Sequence, residues 1–363
     1  MVVLLLAFAV SLVVTFFIVR FQRTHARFSI DGDMSGPQKF HARPVPRVGG
    51  VGIAMGAMAG CLALFMLPAN RTSLGVMLLL CAAPAFISGL AEDLTKTQSP
   101  RRRLFFTIAS AGLAAWLLGA MVNRTDIPGV DWLVGFKAGS IVVTLFAVAG
   151  VANSVNIIDG FNGLASMCVV LVSSAVAYVS FQAGDRELAL CALVGLGAVM
   201  GFFIWNFPAG LIFLGDGGAY FLGFYIAELS LLLVNRNQDV SPLCPLLMCI
   251  YPIFETVFSM YRRKFVRGRP MGMPDGVHLH SLIYRRLMRW AVGNREAKVL
   301  TKRNSLTAPY LWLLCMMSVV PAMLFWNNSA VLGLFIGLFG VTYTYLYASI
   351  VRFKVPNWLI VRR

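Results

Sequence analysis

The sequence predicts an all-α, polytopic integral membrane protein. Three observations carry this. The 363 residues are 58% hydrophobic and 13% charged, against about half and about a quarter in a soluble domain. The mean hydropathy is +0.76. Apolar stretches long enough to cross a bilayer, roughly 17–25 residues, recur along the chain.

Eleven such spans are read, at about 2–19, 48–67, 74–91, 104–122, 139–151, 163–181, 188–206, 218–234, 242–260, 308–325 and 330–350. The fifth is short. The opening stretch, MVVLLLAFAVSLVVTFFIVR, has neither a basic leader nor a small-residue cleavage site, so it is expected to be a retained helix. Residues 1–363 are expected to form a single transmembrane catalytic domain.

Charge sets the expected orientation. The segments after spans one, three, five, seven and nine, with the C-terminal tail, hold 26 of the 31 Lys and Arg residues. The positive-inside rule makes that side cytoplasmic, with the N-terminus outside and the C-terminus inside. The same basic face suits anionic lipid headgroups and phosphates. Nucleic-acid binding is not expected, because the basic residues flank hydrocarbon and no recognition module is present. The seven Cys residues all fall in the expected spans without a C-x-x-C pair, so neither disulfides nor a metal role for them is expected.

The chemistry-bearing residues collect on the basic side. All four His residues lie there, as do Glu92, Asp93, Asp159 and Asp216, while the opposite loops are short. Only Glu228 and Glu255 fall inside spans. A carrier would be expected to place binding charges near the midplane. Acids at the membrane edge favour an enzyme acting on a lipid headgroup.

Residues 152–164, ANSVNIIDGFNGL, place Asn153, Asn156, Asp159 and Asn162 every third residue. On a helical turn that spacing brings side chains to roughly one face, where amides and a carboxylate can bind a nucleotide or a metal. In FLGDGGAYFLGF, residues 213–224, Asp216 stands among glycines at the start of span eight. Glycines admit close backbone approach, a helix N-terminus favours anions, and Mg²⁺ takes one or two carboxylates alongside substrate phosphates. Two adjacent acids, Glu92 and Asp93, end span three, where negative charge opposes the helix dipole. A Pro-constrained turn with close-packing glycines, RPVPRVGGVG, enters span two at residues 43–52. The long loop 261–307 is rich in Arg, Gly and Pro up to His278 and His280. Beyond them Leu279, Leu282, Ile283 and Leu287 have the spacing of an amphipathic interfacial helix. Zinc at the His pair is not expected, for want of further ligands nearby in sequence.

This set resembles the polyprenyl-phosphate N-acetylaminosugar-1-phosphate transferase family, which includes initiators of bacterial O-antigen, enterobacterial common antigen and teichoic acid synthesis and the peptidoglycan translocase. The matching segments are Pro46 to Gly50, Glu92-Asp93, Asn153 to Gly160, Phe213 to Gly218, and His278 with His280. Eleven spans fit the O-antigen branch better than the ten-span peptidoglycan branch.

The resemblance implies transfer of an N-acetylhexosamine-1-phosphate from a UDP-sugar to undecaprenyl phosphate, with release of UMP, at the cytoplasmic face of the bacterial inner membrane. It implies Mg²⁺, with Mn²⁺ as a substitute, held by Asp216 and Asp159. Phe213 would stack on uracil, and Asn156 would help shape the nucleotide and metal site. Glu92 and Asp93 would lie near the polyprenyl phosphate. His278 and His280 would contact substrate phosphate or sugar. Arg43, Asn153, Asn162 and Arg269 complete the expected substrate contacts, and a homodimer is common among relatives. The family pattern is usually Asp-Asp where Glu92-Asp93 stands, and a second Asp where Asn162 stands. A lipid or nucleotide-sugar transporter is the alternative from a different class.

Overall fold

The computed structural model describes residues 1–24, 45–66, 72–268, 276–287 and 297–352, without the side chains of 287 and 297–299. Arg43, His25, His41 and Arg269 lie outside the described residues. The described residues are mostly helical, with no strand among them. Their long helices are α1 (Val2–Arg20), α2 (Gly49–Met66), α3 (Leu74–Thr95), α4 (Pro100–Leu117), α6 (Lys137–Ile158), α7 (Leu164–Gln182), α8 (Arg186–Asn206), α9 (Gly215–Arg236), α13 (Ala297–Leu324) and α14 (Ser329–Val351). Shorter ones are α5 (Val130–Val134), α10 (Leu243–Met248), α11 (Ile250–Tyr261) and α12 (Leu279–Leu282).

Nine helices among the described residues are long and apolar enough to cross a membrane. The protein is an all-α, polytopic membrane protein. Two of the eleven expected spans have a different form. The fourth is helix α4, whose first turn carries Arg101, Arg102 and Arg103, so its apolar part is short. The ninth is divided at Cys249 into α10 and α11. Pro252 has no N–H to return to the carbonyl of residue 248, which removes one of the hydrogen bonds that would carry a helix through the joint.

Helix α9 is the hub. Every residue from Gly215 to Ser230 is buried, and the helix packs on α2, α3, α4, α6, α7, α8 and α10. A helix apolar on all sides has to be surrounded in this way. Helix α1 instead buries one face, Val3, Ala7, Ser11 and Thr15, against α8 and α2. Gly52 and Gly56 of α2 face Thr15, Ser11 and Ala7 with no room for a Cβ, the small-residue packing by which helices associate within a bilayer.

The bundle sorts polar groups to its two ends. At one end Arg236 pairs with Asp185 and Glu187, both at 2.7 Å. Arg124 donates there to the carbonyls of Gln238 and Val240, at 2.9 and 2.6 Å. At the other end meet the C-termini of α3 and α6 and the N-termini of α2, α4 and α9.

The described part of the long loop does not expose an amphipathic face. Leu279, Leu282, Ile283 and Tyr284 are buried in the hydrophobic core shared with α13. The apolar spacing of that segment serves packing on the protein, not on a lipid surface.

Candidate active site

Asp216 stands in the first turn of α9. Its position is fixed by two neighbours. The carboxylate of Asp93, at the end of α3, accepts from the backbone N–H groups of Asp216 at 2.9 Å and Gly217 at 2.8 Å. The first N–H groups of a helix have no partner within it, so Asp93 caps α9 from another helix. Gly89, one turn earlier on α3, lies against the Asp216–Gly217 peptide, where a Cβ would come within 2.6 Å. Gly215 has φ +74°, the left-handed region in which glycine carries no steric penalty.

The entry to α2 closes the other side. The N–H of Gly49 donates to the Phe213 carbonyl and that of Gly50 to the Leu214 carbonyl, both at 3.0 Å, and Phe213 N–H donates to the Pro46 carbonyl at 2.8 Å. A Cβ on Gly50 would lie 2.3 Å from the backbone nitrogen of Gly218. These contacts hold Arg47, between Pro46 and Gly49, over the acids. Its Nη2 is 3.5 Å from Asp216 Oδ1, and its Nε is 4.0 Å from Asp93 Oδ1.

A second guanidinium comes from α4. Arg103 pairs with Asp216 Oδ2 and lies 5.9 Å from the centroid of the Tyr220 ring. The Tyr220 hydroxyl reaches Asn153 Oδ1 at 3.4 Å. From the same helix, Asn156 donates its side-chain N–H to Asp216 Oδ1 at 3.1 Å.

Asp159 follows α6 directly, and its backbone N–H bonds the carbonyl of Asn156 at 3.3 Å. It stands one turn beyond the amide that binds Asp216. Burial raises its pKa to about 7, against the opposing pull of Arg47. The two acids expected to share a metal thus lie at one end of the bundle, both within the electrostatic reach of Arg47.

The structure places other expected residues elsewhere. Glu92 turns to its own chain, and its Oε2 accepts from the Gln98 N–H at 2.6 Å. Asn162 is buried, with its backbone N–H donating to Asn304 Oδ1 at 2.9 Å and its amide to Ser305 Oγ at 3.2 Å. It fastens the 160–163 turn to α13, and no hydrogen bond links it to Asp216. Phe213 is half-buried and shapes the site through its backbone. His278 and His280 are buried beside the Asp159–Gly160 turn: His280 Nε2 lies 3.6 Å from where a Cβ on Gly160 would stand.

Arg47 and Arg103 are the residues the motif reading passed over in favour of Arg43 and Arg269. Arg47 lies inside the Pro46–Gly50 motif, and Arg103 follows the acidic pair by ten residues. Their sequence signal was one of topology, since basic residues at span ends are read first as orientation determinants.

Chemically the pocket is a mixed-charge site. The donor set at Asp216, Asp159 and Asn156 is all oxygen and amide, which fits a hard cation such as Mg²⁺. Arg47 and Arg103 present donors in the fork geometry that suits phosphate oxygens. No side chain here is an obvious strong base, so the pocket is built for neutralising charge.

A family model described as glycosyl transferase family 4 matches residues 75–234, a stretch that includes Asp93, Arg103, Asn156, Asp159 and Asp216. The chain is 27% identical to a probable undecaprenyl-phosphate N-acetylglucosaminyl 1-phosphate transferase of Bacillus subtilis, over 81% of this chain and 80% of that protein. It is 28% identical to an undecaprenyl-phosphate alpha-N-acetylglucosaminyl 1-phosphate transferase of Thermotoga maritima, over 77% of this chain and 81% of that one. A phospho-N-acetylmuramoyl-pentapeptide-transferase of Geobacillus kaustophilus is 28% identical over 54% of this chain and 64% of its own length.

Proposed function

The chain belongs to glycosyl transferase family 4, and on that premise we propose that it transfers N-acetylglucosamine-1-phosphate from UDP-GlcNAc to undecaprenyl phosphate, releasing UMP. The observation that carries this is the convergence on Asp216 of Asn156, Arg47 and Arg103 from three other parts of the chain. The relatives matched over the greater share of this chain are named as GlcNAc-1-phosphate transferases. The peptidoglycan transferase covers less of it, so muramoyl-pentapeptide transfer is the second choice.

The chemistry follows from charge. A phosphate monoester has a second pKa near 6, so the acceptor is largely dianionic at neutral pH and needs little help from a base. One of its oxygens attacks the sugar-bearing phosphorus, the bond to the UMP oxygen breaks, and UMP leaves with the electron pair. Such transfers ask mainly for positioning and charge neutralisation. Arg47 and Arg103 neutralise the diphosphate and the departing UMP, Asn156 orients Asp216, and Asp93 holds the α9 N-terminus in place. Mg²⁺, when bound, supplies further neutralisation of the diphosphate, held by Asp216 and Asp159. A covalent aspartyl intermediate is the rival course. Inversion at phosphorus supports direct attack, and retention would remove it.

The site end of the bundle carries the basic segments, so it faces the cytoplasm, in the inner membrane of a bacterium. The matched relatives act in bacteria on a lipid-linked acceptor, which fits the start of a cell-surface polysaccharide. The test is UMP release by the purified protein with undecaprenyl phosphate and, in turn, UDP-GlcNAc, UDP-GalNAc and UDP-MurNAc-pentapeptide. Release with UDP-GlcNAc is expected. Release with the pentapeptide donor alone would select the second choice, and sugar-nucleotide movement without UMP would indicate a transporter.

A further inference from the structure

Glu255 lies on α11, outside the stretch matched by the family model. Its side chain is 1% exposed, yet both oxygens have partners. Oε1 accepts from the Leu279 backbone N–H at 2.9 Å and faces His278 Nδ1 at 3.1 Å. The same oxygen is 3.9 Å from His280 Nδ1. Oε2 accepts from the Tyr343 hydroxyl of α14 at 2.8 Å. The two imidazoles stack, 5.0 Å between centroids and 6° from parallel, and Phe161 meets His280 edge-on at 5.5 Å.

A carboxylate only accepts hydrogen bonds, so His278, at hydrogen-bond distance, presents Nδ1–H to it, while the His280 ring, 3.9 Å away, is held by its stack on His278. The Nε2 of His280 faces Gly160, next to Asp159, 3.6 Å from where a Cβ there would stand. One carboxylate therefore fixes the loop backbone at Leu279 and the rotation of the His278 ring, and through the stack of the two rings it orients His280. Tyr343 fixes the carboxylate in turn, as partners behind a working imidazole do elsewhere.

We infer that Glu255 is the positioning residue for His280: it fixes the His278 ring, on which His280 stacks, so that His280 Nε2 is presented at the Asp159–Gly160 turn, toward the diphosphate of the donor. The inference rests on the transferase reading. A metal is the competing use of the same three groups, whose ligand atoms lie within 4.8 Å of one another. This proximity removes the lack of further ligands as a ground for rejecting zinc. The stacked rings still direct their in-plane lone pairs along nearly parallel planes, and Oε1 already accepts a backbone N–H, so the hydrogen-bonded clamp is the better fit.

The experiment is a double-mutant cycle on the full-length purified protein, with Glu255→Gln, His280→Ala and both together. The readouts are UMP release from UDP-GlcNAc, the melting temperature and the zinc content. Glu255→Gln should lower kcat by about 10- to 100-fold, by analogy with groups that orient metal-bound imidazoles, with KM changing far less. In the His280→Ala background it should cost far less than in the wild type, because the ring it positions is gone and only its holds on Leu279 and His278 remain to be lost. If Glu255→Gln does not fold, Tyr343→Phe in the same two backgrounds gives the same comparison with a smaller first loss. Losses that multiply in the double variant would overturn the inference, as would stoichiometric zinc that disappears with His280. An active wild type with multiplying losses removes only this inference; an inactive wild type removes the transferase reading as well.

Discussion

Asp93 and Glu92 are neighbours in sequence and have unrelated tasks. Asp93 accepts two backbone N–H groups at the start of α9, and Glu92 accepts one in the following loop. The spacing of acids along the chain made both visible as candidates. It could not divide the work, because the N–H groups that claim Asp93 belong to a helix more than a hundred residues later. The division has a consequence. Asp93→Asn keeps one good acceptor for the cap and should retain more activity than Asp93→Ala. The alanine variant should lose about 0.5–2 kcal/mol of stability, the usual value of an N-cap. Equal, complete loss in both, with unchanged melting, would instead give Asp93 a direct part in substrate contact. Asp159 makes a pH prediction. Its folded pKa is raised from 3.8 to about 7, so the fold favours the protonated acid. This group's contribution is whole below the unfolded value and is lost as pH rises toward 7. In detergent without Mg²⁺, Asp159→Asn should therefore melt above wild type at about pH 8, and the difference should vanish near pH 4.

At the scale of elements, the helices were legible from hydropathy, and the motif segments from Asn, Asp and Gly in register. The break at Cys249 was not, because α10 and α11 together are as apolar as one span. Nor was the burial of Leu279 to Tyr284: an apolar stripe beside arginines reads the same whether its face meets lipid or protein. Asn162 shows the same limit, since its partners Asn304 and Ser305 come from α13. The glycines of the Pro46–Gly50 and Phe213–Gly218 motifs have one shared reason, the contact of α2 with α9. Gly50→Ala would put a Cβ 2.3 Å from backbone, so it should reduce both folded yield and activity. Gly150→Ala, on α6 with nothing within 4 Å of the added Cβ, should be close to neutral in both. Arg103→Ala removes a guanidinium paired with Asp216 and should lower kcat by at least tenfold, with some loss of melting temperature as the carboxylate loses a partner.

Across the whole molecule, the alternation of helices carries the chemistry to one end. Odd and even spans arrive in opposite directions, so the acids that end α3 and follow α6 meet the acid that begins α9. By the positive-inside rule, the orientation proposed above turns that end to the cytoplasm. All seven Cys residues are buried, which suits labelling from outside intact cells. A cysteine placed at Thr97 should be protected from an impermeant maleimide, and one at Gln238 should react. The reverse pattern would turn the site to the other face. The claim on which the whole account depends is that the Asp216 carboxylate organises one Mg²⁺-dependent phosphoryl-transfer site. UMP release by purified Asp216→Asn, with saturating UDP-GlcNAc, undecaprenyl phosphate and Mg²⁺, tests it most directly. The prediction is a loss of about 10³-fold, the scale of removing a principal electrostatic group, in a variant that melts like wild type. Turnover near the wild-type rate in that folded variant would contradict it.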